Sequence, residues 1–404
     1  MAKPETRFLD RSTPPTLFTL IVIAGSMAIA MNMFLPALPD IAEYFGAEYR
    51  VMQLSVALFM AMSGLLQIVT GPISDRFGRR PVLLAGFAIF VVATLGCLFA
   101  QSTEMFLFFR TVQAFIAVAM TLSRAVIRDM VPQAESASMI GYVTMFMAVV
   151  PMVSPFFGGF LDEMFGWKSV FWLLAGYGVL GFWLVWADLG ETNTNKSSSF
   201  SAQFSAYPEL LLSQRFWGYC LTAAFSSGAF FAYLGGAPFV GTVVFDLTPT
   251  ALGFYFGAPA IGYMAGNFLS GRYSVRYGVN KMVLIGAVAL IVGVTMSLVI
   301  FLIDAGNVQS FFGFMIFVGF GNGLVLPNAT SGLLSVRPHL AGTASGLGGA
   351  IMIGGGGALS ALAGALLGPK TGPFPLLYLM LTVSILSLIC ILLVIRREKR
   401  VGIA

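Results

Sequence analysis

The sequence predicts an all-α membrane protein: twelve transmembrane helices in two pseudo-symmetric six-helix bundles. Three observations predict it. Of 404 residues, 58% are apolar and only 10% are charged, against about 25% charge in an ordinary soluble domain. Such a chain cannot wet a globular surface, which excludes disorder, a disulfide-stapled secreted scaffold and a soluble enzyme. The apolar residues also gather into runs of roughly 20, the length a bilayer requires. Finally, the second half repeats features of the first at an offset of 200 residues.

Cut by charges, Pro and Gly, the runs lie near 16–36, 51–70, 81–100, 105–126, 137–160, 168–188, 216–240, 250–270, 281–303, 309–331, 341–367 and 374–395. Irregular backbone cannot face lipid, so each run reads as a helix. Strand-like alternation is absent, which excludes a barrel. The first run outlasts the core of a signal peptide, and no cleavage is expected. The longest polar stretch, 189–215, is rich in Ser and Asn and reads as a linker. It divides the chain into an amino-terminal bundle, 1–188, and a carboxy-terminal bundle, 216–404.

Charge fixes the orientation. Eighteen of the 22 Lys and Arg fall on the side that holds both termini, Arg50, Lys168 and Lys370 on the other, and Arg110 inside a span. Both termini are therefore expected in the cytoplasm, and the net charge of +5 reports topology rather than nucleic-acid binding. Cys97, Cys220 and Cys390 sit in apolar runs, and the one histidine, His339, has no cluster around it. No metal site and no cofactor are expected.

The repeat is clearest in two loops. Residues 71–86 read GPISDRFGRRPVLLAG and residues 271–286 read GRYSVRYGVNKMVLIG, with six of sixteen positions identical. Parallel repeats of this kind build transporters whose substrate site lies between the halves near the midplane. In the first copy, Gly71 and Gly78 permit a tight turn. Asp75 can pair with Arg79 or cap a neighbouring helix. Arg76 and Arg80 complete the cluster, and their plainer reading is ordinary cytoplasmic loop charge. With Arg128 and Asp129 from the next cytoplasmic loop, these residues are candidates for gating. The expected latch joins Asp75, Arg79 and Asp129 to the start of the eleventh run when the protein opens outward.

This loop, with FLPALPDIAEYFG at 34–46, Arg110-Thr-Val-Gln113, Arg124-x-x-x-Arg128-Asp129, Ser154-Pro155-Phe-Phe-Gly158-Gly159 and Leu326-Pro327-Asn328, resembles the major facilitator superfamily. Within it the chain is similar to the twelve-helix drug:proton antiporters of the bicyclomycin/chloramphenicol-resistance type. The resemblance implies the major facilitator fold and a monomer in the inner membrane. It implies no enzymatic reaction, but secondary active export of small amphipathic compounds, a multidrug-type efflux coupled to protons by alternating access.

Arg110 and Asn32 are the leading candidates for substrate binding or coupling. A charge deep in a span normally faces an interior cavity. Gln113, three residues on, shares the face of Arg110. Arg110 could instead brace neighbouring carbonyls. Pro36 lacks an N–H, which frees the carbonyl of Asn32, so Asn32 reads either as a binding point at a broken helix or as part of a local kink. Tyr233, Tyr263, Asn267, Asn322 and Asn328 are further lining candidates, with interhelical hydrogen bonding as the plainer reading. In the fifth span, Pro151, Pro155, Gly158 and Gly159 form a bend resembling the family's antiporter motif, although Val150 and Ser154 stand where glycine is usual. The eleventh span carries small-xxx-small pairs such as Gly342/Gly346, a close-packing surface.

The chain departs from its relatives at Asn32, where an Asp is common. All 17 acidic residues fall at span ends, loops or tails, so no mid-membrane carboxylate completes a proton relay. The alternative function is a facilitator or exchanger of neutral, zwitterionic or anionic solutes with weak or no proton coupling. Coupling through groups at the cavity mouth, such as Asp129 or Asp40, is the remaining route.

Overall fold

Capping chemistry sets the start of the first helix. The Thr16 hydroxyl accepts from the Thr19 amide, and α1 runs Leu17–Asn32. A computed structural model describes residues 7–130, 143, 150, 153–193, 207–337, 340–368 and 370–402. At Pro36 the chain passes through a 3-10 turn, Leu35–Ala37, into α2, Leu38–Tyr44. The first bundle continues with α3 (Leu54–Phe77), α4 (Arg79–Leu98), α5 (Thr103–Gln113), α6 (Ala117–Met130), α7 (153–165) and α8 (Lys168–Ala187). The second holds α9 (Gln214–Phe239), α10 (Pro249–Phe256), α11 (Ala258–Tyr277), α12 (Val279–Leu302), α13 (Val308–Ser335), α14 (Ala341–Leu366) and α15 (Phe374–Val401).

Among the described residues, ten helical stretches are long and apolar enough to cross a membrane. They correspond to every expected run except the fifth and the eighth. The fifth lies largely outside the described residues. The eighth is helical, as α10 and α11, but carries Asn267, Arg272 and Arg276.

Three expectations need correction. The second run does not stop near residue 70 but continues to Phe77, with Pro72 inside the helix. Gly71 is therefore helical, and Gly78 alone makes the turn, at φ 103°, a conformation that L side chains resist. Gly278 repeats the device at φ 82°. Second, the fourth run is not continuous: a 3-10 turn, Ala114–Ile116, separates α5 from α6. Third, Arg124, Arg128 and Asp129 belong to α6 rather than a loop.

Each bundle is tied from its last helix to its first by a buried carboxylate. Asp188, at the end of α8, accepts from the Leu9 amide at 2.7 Å, the Thr16 amide at 2.9 Å and the Thr19 hydroxyl at 2.6 Å. A negative charge there suits the positive amino-terminal end of α1. Glu398, in the last turns of α15, binds Arg215 at 2.7 Å and accepts from Tyr219 on α9 at 3.0 Å and from Asn280 on α12 at 2.5 Å.

The bundles meet on the side away from the termini. There Tyr49 donates to the Gly235 carbonyl at 3.0 Å, and Gln53 donates to Ser360. Along α3 and α14, Gly64 abuts the backbone of Ala350 and Gly354, and Gly357 abuts that of Ala57. Gly159 of α7 packs on the Pro249 carbonyl, and Gly253 of α10 on that of Pro155. Toward the terminal side, a Cβ at Gly71 or at Gly271 would meet nothing within 4 Å. The described parts of the molecule therefore form a two-bundle shell closed at the far side.

Candidate functional site

Arg110 occupies the last turn of α5 and is fully buried. Its guanidinium lies between the rings of Phe34, at 4.0 Å, and Phe59, at 4.7 Å. It donates to the Gln113 side chain and, at 3.4 Å, to the Ala30 carbonyl. Gln113 passes the chain on to the Thr94 hydroxyl at 2.6 Å, which donates to the Phe90 carbonyl. Two of its nitrogens, Nε and Nη2, have no partner among the described residues. The cation is thus held by ring faces and neutral acceptors. It sits inside the first bundle, touching α1, α3 and the 3-10 turn at Leu35–Ala37, rather than on an open cavity wall.

Asn32 closes α1, as the missing Pro36 N–H requires. Its Nδ2 donates to the Ala28 carbonyl at 2.7 Å, while Oδ1 is buried without a partner. Arg110 reaches Ala30, two residues before it, but not the Asn32 side chain. Arg110 and Gln113 form one polar group in an apolar surround, with the Asn32 side chain apart from it.

The second-half candidates do not join them. Tyr233 is fully buried, donates to the Phe256 carbonyl at 3.4 Å and packs on Phe256 and Phe312. Asn322 accepts from Ser226 at 2.9 Å, and Asn328 donates to Ser270 at 2.7 Å. All three bridge neighbouring helices of their own bundle. Tyr263 and Asn267, on adjacent turns of α11, are half-buried, with the Asn267 amide on the Tyr263 carbonyl at 2.8 Å.

The gating candidates cluster around Arg79. It pairs with Asp75 at 2.6 Å and with Asp129 at 3.2 Å. Arg80 donates to the Trp186 carbonyl at 3.1 Å, and Arg76 packs on Phe77. These partners belong to the first half, and the Arg128 side chain lies outside the described residues. Sequence reasoning missed the linker's part. Glu191 accepts from the Arg79 amide at 2.9 Å and the Arg80 amide at 3.3 Å, capping α4. Thr192 donates to Asp129, and Asn193 to the Ser74 and Asp75 carbonyls. The only signal for this was an acid beside Gly190 at the start of a polar stretch.

Of the antiporter-like motif, Pro151 lies outside the described residues. A Cβ at Gly158 would overlap the Met33 carbonyl, at the break that follows α1. Gly158 and Gly159 thus let α7 touch the first span on one side and the second bundle on the other.

A family model described as Major Facilitator Superfamily matches residues 20–361 and 245–402. A chloramphenicol resistance protein of Pseudomonas aeruginosa is 30% identical over 374 residues, 90% of this chain and 87% of the relative. Multidrug resistance protein D of Escherichia coli (strain K12) is 26% identical over 392 residues, 96% of each chain. A solved peptide transporter POT in complex with sulfate superposes with a TM-score of 0.80 at 10% identity, covering 99% of this chain and 97% of that one. A bacterial homologue of the lysosomal transporter Spinster, in an inward-facing occupied conformation, gives 0.68 at 17% identity, covering 94% and 96%.

Proposed function

The chain belongs to the major facilitator superfamily, and we propose that within it the protein exports small amphipathic compounds by alternating access. It is a multi-pass membrane transporter and not an enzyme. The observation that supports the alternating-access reading is the seam between the bundles. They are joined through Gln53–Ser360, Tyr49–Gly235 and the α7–α10 packing on the side away from the termini, whereas a Cβ at Gly71 or Gly271, toward the terminal side, would meet nothing within 4 Å. That is the geometry of one of two rocking states. The excess of Lys and Arg on the terminal side favours a cytoplasmic location for that side, and on this reading the far-side-joined arrangement corresponds to an inward-facing state. The chloramphenicol and multidrug resistance proteins among its relatives point to drug-like substrates. A monomer suffices, since one chain supplies both bundles.

Proton coupling is part of this reading, but the middle of the membrane supplies no carboxylate to it. Asn32 is neutral, and Arg110 has no acidic partner among the described residues. That same observation favours a second reading, exchange or facilitated passage of neutral or anionic solutes. Flux of chloramphenicol into inverted vesicles, with and without an imposed pH step, separates the two. Uptake that follows the pH step supports proton-driven export. Uptake indifferent to it supports exchange, and no uptake of any tested amphipath removes the export proposal.

A further inference from the structure

The acids of this chain are unequally served. Asp75 and Asp129 share Arg79, Asp188 and Glu398 collect several donors each, and Glu163 accepts from the Thr250 amide at 3.2 Å. Asp162, on α7, is different. It is 3% exposed, and neither of its carboxyl oxygens finds a donor among the described residues. An ionised carboxylate so placed has surrendered its water and received nothing in exchange.

The group facing it is the carboxyl of Asp40, on α2, within hydrogen-bonding reach. Asp40 is exposed at the far side. Two carboxylates have four acceptor oxygens and no donor between them. One proton changes that: it turns one acid into a donor to the other and satisfies both. The surroundings do not offer another remedy. Glu43 on α2 and Glu163 on α7 add negative charge. Lys168, at the start of α8, is engaged with Tyr44 and Trp167, and Arg50 pairs with Glu48. From the second bundle, α10 presents only the Thr248 and Thr250 groups, both directed at Glu163. The pair also adjoins the far-side seam, because Gly159, one turn before Asp162, seats α7 on Pro249.

We propose that Asp40 and Asp162 form a proton-binding site at the far-side mouth of the transporter, with one proton held between the two carboxyls while the bundles are joined there. The proposal rests on the reading of the chain as an alternating-access exporter and adds to it the place where protons from the far side are bound. A hydronium ion reaching exposed Asp40 leaves its proton on the pair and departs as water. Loss of that proton leaves two facing anions whose repulsion drives α2 from α7 and loosens the seat of α7 on α10. Acidity at the far side therefore favours the joined state.

The test is infrared difference spectroscopy of the purified full chain in lipid nanodiscs, titrated through neutral pH. The expected result is a protonated-carboxyl carbonyl band near neutrality that disappears as pH rises. The band is lost in Asp162→Asn and equally in Asp40→Asn, because an amide donor in either position lets the remaining acid ionise. A wild type without such a band, or a band that survives in both variants, overturns the proposal. Asp40 is exposed, so Asp40→Asn keeps the test decisive even if Asp162→Asn does not fold. The same preparations, assayed for chloramphenicol flux in proteoliposomes, separate the two readings: a titrating band with no flux of any amphipath leaves the proton site standing and removes the exporter.

Discussion

The side-chain amide of Gln53 crosses from one bundle to the other and donates to both acceptors of Ser360, the hydroxyl at 2.7 Å and the carbonyl at 3.1 Å. Both residues are fully buried, so the contact is made away from water, where an abandoned polar group costs about 1–3 kcal/mol. Gln53→Ala is expected to shift the equilibrium away from the far-side-closed state by about tenfold, the equivalent of about 1.4 kcal/mol. Spin labels at the exposed positions Glu48 and Lys370 report the separation. An unchanged distance distribution would show that this bond does not hold the seam.

Arg110 gives an expectation in which stability and transport part company. A buried cation without a carboxylate partner bears an uncompensated desolvation cost, and an apolar side chain of similar length relieves it. Arg110→Met is therefore expected to keep or raise the thermal midpoint while transport falls at least about tenfold. Arg110→Lys is expected to lose transport too, since an ammonium cannot stack between Phe34 and Phe59 as a planar guanidinium does. A lowered midpoint in Arg110→Met, measured by dye-based melting in detergent, would assign Arg110 to bracing alone.

Two glycines in neighbouring spans form a paired comparison. A Cβ at Gly158 overlaps backbone at Met33, whereas one at Gly176 of α8 meets nothing within 4 Å. Gly158→Ala is expected to cost about 1–3 kcal/mol, the usual range for overpacking. Gly176→Ala is expected to be neutral or slightly stabilising, since alanine is the better helix former. Equal melting behaviour in the two variants would contradict the close approach of α7 to the first span.

A second comparison uses the repeat. Gly78 and Gly278 both hold positive φ with extended ψ, a region essentially restricted to glycine, so alanine at either costs about 1–3 kcal/mol. Only at Gly78 does a Cβ also collide with a carboxylate, that of Glu191. Gly78→Ala is expected to be the more damaging, and to recover part of the difference when combined with Glu191→Ala. Recovery is read from melting midpoints of the single and double variants. Strict additivity would show that Glu191 does not occupy the turn.

The ten described spans, the two halves and a glycine turn near residue 78 follow from patterns that act locally, run length, repeat and a backbone angle only glycine tolerates, although the sequence did not separate Gly78 from Gly71. The break after Asn32 was legible for the same reason, because Pro36 removes a defined hydrogen bond. The interior was not. Phe34 and Phe59 carry no mark among 38 phenylalanines that would single them out as the walls of Arg110, since their pairing depends on how three spans cross. Glu191 looked like linker because its partners, the Arg79 and Arg80 amides, are over a hundred positions away. Asp40 and Asp162 were correctly placed at span ends, but their proximity is a property of helix packing. The same holds for Tyr233, Asn322 and Asn328, whose polar atoms turned out to be engaged within their own bundle.

The carboxylates at the ends of the sixth and twelfth spans bear on how the molecule could be taken apart. Asp188 fastens α8 to the threshold of α1, and Glu398 fastens α15 to that of α9. Each half is thereby fastened, last helix to first, by a carboxylate of its own. A chain severed between Asn193 and Gln214 leaves both fastenings intact, and leaves Glu191 capping α4 on the first fragment. The two fragments, produced separately in one cell, are suited to insert as finished modules and find each other through the α3–α14 seam. Covalent continuity then serves to keep the partners at equal number and close at hand, not to shape either of them.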